Sequence, residues 1–328
     1  MRVNRDERGA VAVIVVLCAV MLFSFAAYAI DTGHVWSERR HLITAADAAA
    51  LASAKDSAIG RAGCNTAAGS FIAANHSGAS LTSCLPVINS SRSGHVTVRA
   101  GATVDFAFAP IFGVNDQAIR AITTAEWGIP TGARNLRPFG LCVDANAAFK
   151  SWLNYPSGPA GDSGTIRITY SKAQPLACGT VPGNWGVQDF DGGSNSNADT
   201  RAWTRNGYPG LVSVGDNIPG NTGAFSNSLN DGLAYLKSSG EAFALPVFDT
   251  AAGNGSNASF HIIAFVFVKL IDYRTTGAEA ARYMDLVFTK GVITGTCCAD
   301  SGVNTLVRAV RICDVNTLTP NTSDSRAC

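Results

Sequence analysis

The densest set of oxygen ligands in this chain of 328 residues lies in the stretch DFDGGSNSNAD, which presents Asp189, Asp191, Asn195 and Asp199. A hard cation such as Ca2+ takes six to eight oxygens from flexible acidic loops, so the spacing permits a structural calcium site. The stretch lacks the EF-hand's glycine at its sixth position and glutamate at its twelfth, and an Asx-rich turn accounts for the same residues. A second motif, Gly161–Asp162–Ser163–Gly164, copies the surroundings of the nucleophile in trypsin-like proteases. That chemistry needs a histidine base oriented by an aspartate. The five histidines, His34, His41, His76, His95 and His261, stand in no matching motif, and more than 160 residues follow the serine, too many for that fold. A glycine turn is the better reading. Phosphate-binding loops, dinucleotide fingerprints and HExxH helices are absent. Glutamate beyond residue 60 is confined to Glu126, Glu241 and Glu279. The expectation is a protein that is not an enzyme, with no cofactor beyond this one calcium option.

Cysteine chemistry is more informative. Of nine cysteines, Cys18 lies inside an apolar run, where a thiol behaves as a small hydrophobe. The other eight, Cys64, Cys84, Cys142, Cys178, Cys297, Cys298, Cys313 and Cys328, all follow that run. An even set on one side of a membrane reads as four disulfides formed in an oxidising compartment. Eight cysteines allow 105 pairings. Short loops favour Cys64–Cys84 and Cys142–Cys178, with Cys297 and Cys298 each taking one of Cys313 and Cys328. Zinc would need CxxC or mixed Cys/His spacing, which the chain lacks.

The apolar run itself, Ala10 to Ile30, contains no charge. As a helix it reaches roughly 30 Å, the thickness of a bilayer core. Arg2, Arg5 and Arg8 precede it, which by the positive-inside rule puts the head (1–9) in the cytoplasm and the body outside. Tyr28 and Trp36 fall where interfacial aromatics belong. Ala27–Tyr28–Ala29 fits a signal-peptidase site, yet the run exceeds the 7–15 residues of a signal core. The helix is expected to continue to about residue 58, since Asp31–Ser57 holds no proline and Gly33 as its one glycine. Val35, Leu42 and Ala49 recur every seven residues with Ala45, Ala46 and Ala52 beside them, opposite Glu38, Arg39, Asp47 and Lys55. Such a small-residue stripe lets another element approach closely. The stripe fits either the chain's own domain or another molecule. Charge is low (15%) and balanced (net +1), which leaves no basic surface for nucleic acid.

The segment Arg5–Ala54 resembles the N-terminal region of TadG-like proteins of tight-adherence (Flp) pilus assembly. The resemblance rests on the charged head ending in Gly9, the uncharged run, Ile30–Asp31–Thr32–Gly33, Glu38–Arg39–Arg40 and the alanine-rich Ala45–Ala52. It implies a single-pass cytoplasmic-membrane protein whose partners are lipid, through residues 10–30, and other pilus-assembly or pilin-like proteins. Related TadE/TadF pseudopilins are cut after the head glycine and carry glutamate at the fifth mature position. Here that position is Ile14, so such processing is not expected. TadG proteins with a von Willebrand A domain carry a D-x-S-x-S metal motif. This chain has none, and metal-dependent adhesion is not carried over.

The fold class expected is α+β. Residues 31–132 read as the continued helix followed by antiparallel strands at His95–Ala100, Thr103–Phe108 and Ala118–Trp127, a pilin-like outline. Residues 135–328 read as a disulfide-stapled, mainly-β sandwich or barrel-like domain. Its strand candidates are Thr165–Tyr170, Trp185–Phe190, Ala244–Phe248, Phe260–Leu270, Tyr283–Phe288 and Leu306–Ile312. Only Asn227–Lys237 reads as a helix there. The function expected is an accessory or assembly component of a Tad/Flp-type pilus that acts by contact. The alternative is a secreted hydrolase or carbohydrate-binding module released after Ala29.

Overall fold

The structure is a computed structural model that describes residues 8–61, 63–169, 178–179, 186–193, 197–221, 229–278, 281–299 and 302–313, with side chains from residue 11 onward except at residue 256. One helix, α1 (Arg8–Ala58), runs unbroken for 51 residues. It is followed by α2 (Cys64–Asn75), β1 (Ala79–Ile88), β2 (Gly94–Asp105) and β3 (Asp116–Gly128). Next come β4 (Gly132–Ala133), β5 (Leu141–Cys142), α3 (Ala147–Leu153), β6 (Thr165–Thr169), α4 (Asn197–Asn206), β7 (Val212–Ser213) and β8 (Asn217–Pro219). The last part holds α5 (Asn230–Ser239), β9 (Ala242–Ala252), β10 (Ser259–Arg274), β11 (Tyr283–Thr289), β12 (Gly291–Val292), β13 (Gly295–Thr296) and β14 (Val307–Ile312).

Two main sheets result. The first has the order β1-β2-β3-β14-β12. Its strands β1, β2, β3 and β14 are antiparallel, and β14 returns from the far end of the chain to set Ala309 opposite Gly128. The alanine stripe of α1 lies on this sheet. Leu42, Ala45, Ala46, Ala49, Ala50 and Ala54 are fully buried, and all but Ala45 share one cluster with Ile72 of α2 and Val96, Val98, Ala125 and Trp127. The stripe therefore serves the chain's own domain. The candidates His95–Ala100 and Thr103–Phe108 are one strand: Gly101, between them, pairs with Arg120 inside β2, which ends at Asp105.

The second sheet has the order β5-β9-β10-β11-β6, with β8 also on β10. Its central strand β10 is apolar because both faces are covered. Phe260, Ile262 and Phe265 join one core cluster, while Ala264, Val266, Val268 and Leu270 join the other. The even-numbered residues change face between 262 and 264, where the β9–β10 register shifts. An irregularity of this kind re-aims every side chain beyond it. Helices α3 and α5 cover one face through Phe149, Leu153, Leu233 and Leu236. In α5, a side chain on Gly232 would come within 2.7 Å of Thr204 Cγ2, so only glycine lets α5 lie this close to α4.

Three further sequence expectations are corrected. The second unit contains α3 and α4 besides α5; Asn146 caps α3, its Oδ1 accepting from Phe149 N at 2.8 Å. Trp185–Phe190 is not a strand: Trp185 lies outside the described residues, Gly186 turns the chain at φ 79°, and Val187 and Gln188 make only isolated bridges. Cys64–Cys84 and Cys142–Cys178 form as expected, but Cys297 and Cys298 bond to each other. A bond between neighbours closes the shortest loop there is, an option that assigning each cysteine to Cys313 or Cys328 leaves aside. Cys313 is disulfide-bonded too, and Cys328 lies outside the described residues.

Candidate membrane anchor

The two halves of α1 sit in different surroundings. From Val11 to Ile30 every large apolar side chain is exposed, Leu22, Phe23, Phe25 and Tyr28 by about 70%. The helix is long and apolar enough to cross a membrane, and none of its apolar window is buried by the other described residues. Ser24 Oγ in this half donates to Val20 O at 2.8 Å, as a segment without water requires, and Thr32 Oγ1 just beyond it donates to Tyr28 O at 2.7 Å.

The change of environment falls at Asp31, which is 4% exposed. Its Oδ1 accepts from Ala107 N at 2.9 Å and its Oδ2 from Phe108 N at 3.1 Å and Ala109 N at 2.7 Å. Charge-assisted bonds of this type are the strong ones, and they fix the β2–β3 turn to the helix at the end of the uncharged run. One turn further, Arg40 lies over the Trp36 ring at 5.1 Å. Glu38 Oε2 stands 3.0 Å from His76 Nε2, a contact between α1 and the C-cap of α2. Thr123 Oγ1 donates to Asp47 Oδ1 at 2.7 Å, which joins α1 to β3.

A helix with a bare apolar half and a docked alanine half is the arrangement an anchor needs, and residues 9–56 match the family described as putative Flp pilus-assembly TadE/G-like. The N-terminal segment is TadE/G-like. The match spans both halves of α1 and stops just short of its end at Ala58. No curated protein and no solved structure matches the chain. A TadE/G-like pilus-assembly segment on a candidate membrane-spanning helix supports an envelope component associated with pili.

Because the docked half of the TadE/G-like segment packs through alanines, added volume there should be felt. Ala49→Leu is expected to cost about 1–3 kcal/mol by overpacking. Thr44→Leu, on the exposed face, should leave the thermal midpoint of the detergent-solubilised protein unchanged.

The acidic stretch is partly a helix. Asp199 occupies the first turn of α4, where the helix dipole favours an anion. Asn195 lies outside the described residues. Asp189 is 3% exposed, and its carboxyl is pushed up to about 6 by burial first, then by the bond to and charge of Asp191, and by Asp199. The folded protein therefore holds this proton more tightly than the unfolded chain. Its contribution to stability is fully present below about pH 4 and is lost as pH rises through about 6, a swing of up to roughly 3 kcal/mol. Thermal midpoints measured from pH 5 to 7 should fall in the wild type and stay flatter in Asp189→Asn. At pH 7 that proton is gone, and a Ca2+-dependent rise of the midpoint there that Asp189→Asn abolishes would mark a bound ion. Among the described residues, the grouping with three close ligand atoms is a different one: Glu126, Cys297 and Cys298. Its sulfurs are in a disulfide and Glu126 pairs with Arg311, so it offers a metal little.

The protease-like motif is a structural clamp. Ser163 Oγ donates to Gly164 O at 2.6 Å and accepts from Phe288 N at 2.8 Å. Asp162 accepts from Thr289 Oγ1 at 2.9 Å and Lys290 N at 3.0 Å. Together they pin the segment before β6 to β11. Sequence reasoning missed the role of Asp31, because a lone acid after an apolar run gives no sign of partners 76 to 78 residues away.

Proposed function

We propose that the protein is a single-pass component of a Tad/Flp-type pilus system, held in the cytoplasmic membrane by residues 10–30. Its head lies inside and its disulfide-stapled body outside, and it acts by contact with other pilus-assembly or pilin-like proteins rather than by catalysis. The observation that carries this reading is the coincidence of the TadE/G-like match with one unbroken helix, bare in its apolar half and docked in its alanine half. The three arginines of the head support the orientation. The motif most like a catalytic one, GDSG, spends its side chains on backbone groups of β11 and the residue after it. Release after Ala29 would cut inside the helix, just before Asp31.

The test is genetic and biochemical together. Deleting the gene should reduce piliation and surface attachment, and crosslinking in intact cells should capture a pilus-assembly or pilin-like protein. Normal pili and normal attachment in the deletion strain would contradict the reading.

A further inference from the structure

We propose that the turn between β2 and β3, residues 106–115, is a second membrane-contacting element that rests in the lipid interface beside α1. The turn, FAFAPIFGVN, carries no charge and is flanked by Asp105 and Asp116, the last residues paired across the two strands. Its apolar side chains point outward. Ile111 is 80% exposed, Phe112 69%, Val114 49% and Phe108 38%. The single 3-10 turn Ala109–Phe112 that presents them is ended by Gly113 at φ 82°.

Such a cluster on a hairpin tip is unfavourable in water, and its position says what covers it. The amides of Ala107, Phe108 and Ala109 are held by Asp31, the residue immediately after the uncharged run. The tip therefore sits level with the end of the membrane span. The side chains of α1 just below, Tyr28 and Ile30, are exposed in the same way. The apolar surface thus runs from the span onto the tip, and a lipid surface is the occupant that covers both. Apolar side chains in an interface sink roughly 5–10 Å into the headgroup and acyl boundary. Asp31 then works as a depth gauge: it fixes the body at one height and one rotation about α1, which a lone flexible anchor would not do.

The proposal rests on residues 10–30 being in the bilayer, and one experiment separates the two claims. Nitroxide labels are placed at Ile111→Cys, Phe25→Cys and Ser157→Cys, each with Cys18→Ser, in the full chain reconstituted into phosphatidylethanolamine/phosphatidylglycerol nanodiscs. Collision with oxygen and with a water-soluble nickel chelate is then read at each site. The expected result is that Ile111 resembles Phe25, favouring oxygen over nickel by several-fold, while Ser157 favours nickel. A label at Ile111 that behaves like Ser157 while Phe25 reports lipid overturns the tip contact alone. A label at Ile111 hidden from both reagents overturns it too, by pointing to a covering protein. A label at Phe25 exposed to nickel overturns the anchor itself.

Discussion

Placing two arginines in the middle of the apolar run, Leu17→Arg with Val20→Arg, should keep the protein out of the membrane. Each exchange trades a favourable apolar residue for a charge at the helix centre, and the pair costs roughly 6–8 kcal/mol on the insertion scale. Among the described residues no partner rescues them, since Leu17 and Val20 are both more than half exposed. The effect reaches beyond location. A chain left in the cytoplasm stays in a reducing compartment, so its staples do not form. Wild type should remain in the membrane pellet after alkaline carbonate and resist alkylation at Cys142 and Cys178. The double variant should be recovered in the soluble or aggregated fraction with those thiols alkylated. A variant that still pellets with membranes and stays oxidised would contradict the anchor.

The second large effect is expected from the Cys142–Cys178 disulfide, which closes a loop with a sequence separation of 36. Loop-closure entropy for that length gives roughly 3–4 kcal/mol. Both cysteines are buried beside β9, where Cys142 of β5 pairs with Phe248 and sits in one cluster with Phe260 and Phe265. Replacing both by alanine should lower the urea midpoint of the detergent-solubilised protein by that amount divided by the denaturant slope. The Cys297–Cys298 pair, with a separation of 1, encloses no chain and should matter far less. Equal losses from the two pairs would refute the loop-closure account, and free thiols at Cys142 and Cys178 in native protein would refute the staple.

Much of the anchor was legible in the sequence because its signals are local. An uncharged run of bilayer length and a seven-residue alanine stripe are properties of one helix, and α1 carries both. The strands β10, β11 and β14 were legible for the same reason, as short apolar or β-branched runs between turns. What failed was weaker or longer in range. The helix α2 was invisible because CNTAAGSFIAAN holds a central Gly69 and little periodicity. The strand β1 was hidden by Pro86 and two serines. The acidic stretch reads as a turn until Trp203, buried against Phe190, shows why α4 forms there. The clamp at Asp31 and the return of β14 to β3 depend on residues far apart in the chain, which no local pattern encodes. The vicinal disulfide has no signal beyond the adjacency of Cys297 and Cys298, which fits equally two bonds to Cys313 and Cys328.

The central claim is that residues 10–30 stay on the mature chain as its anchor. Mass spectrometry of the N-terminus of the protein extracted from native membranes tests it most directly. The account predicts a mature chain that still contains the head and the apolar run ahead of Asp31. A mature chain beginning at Ile30 would contradict it.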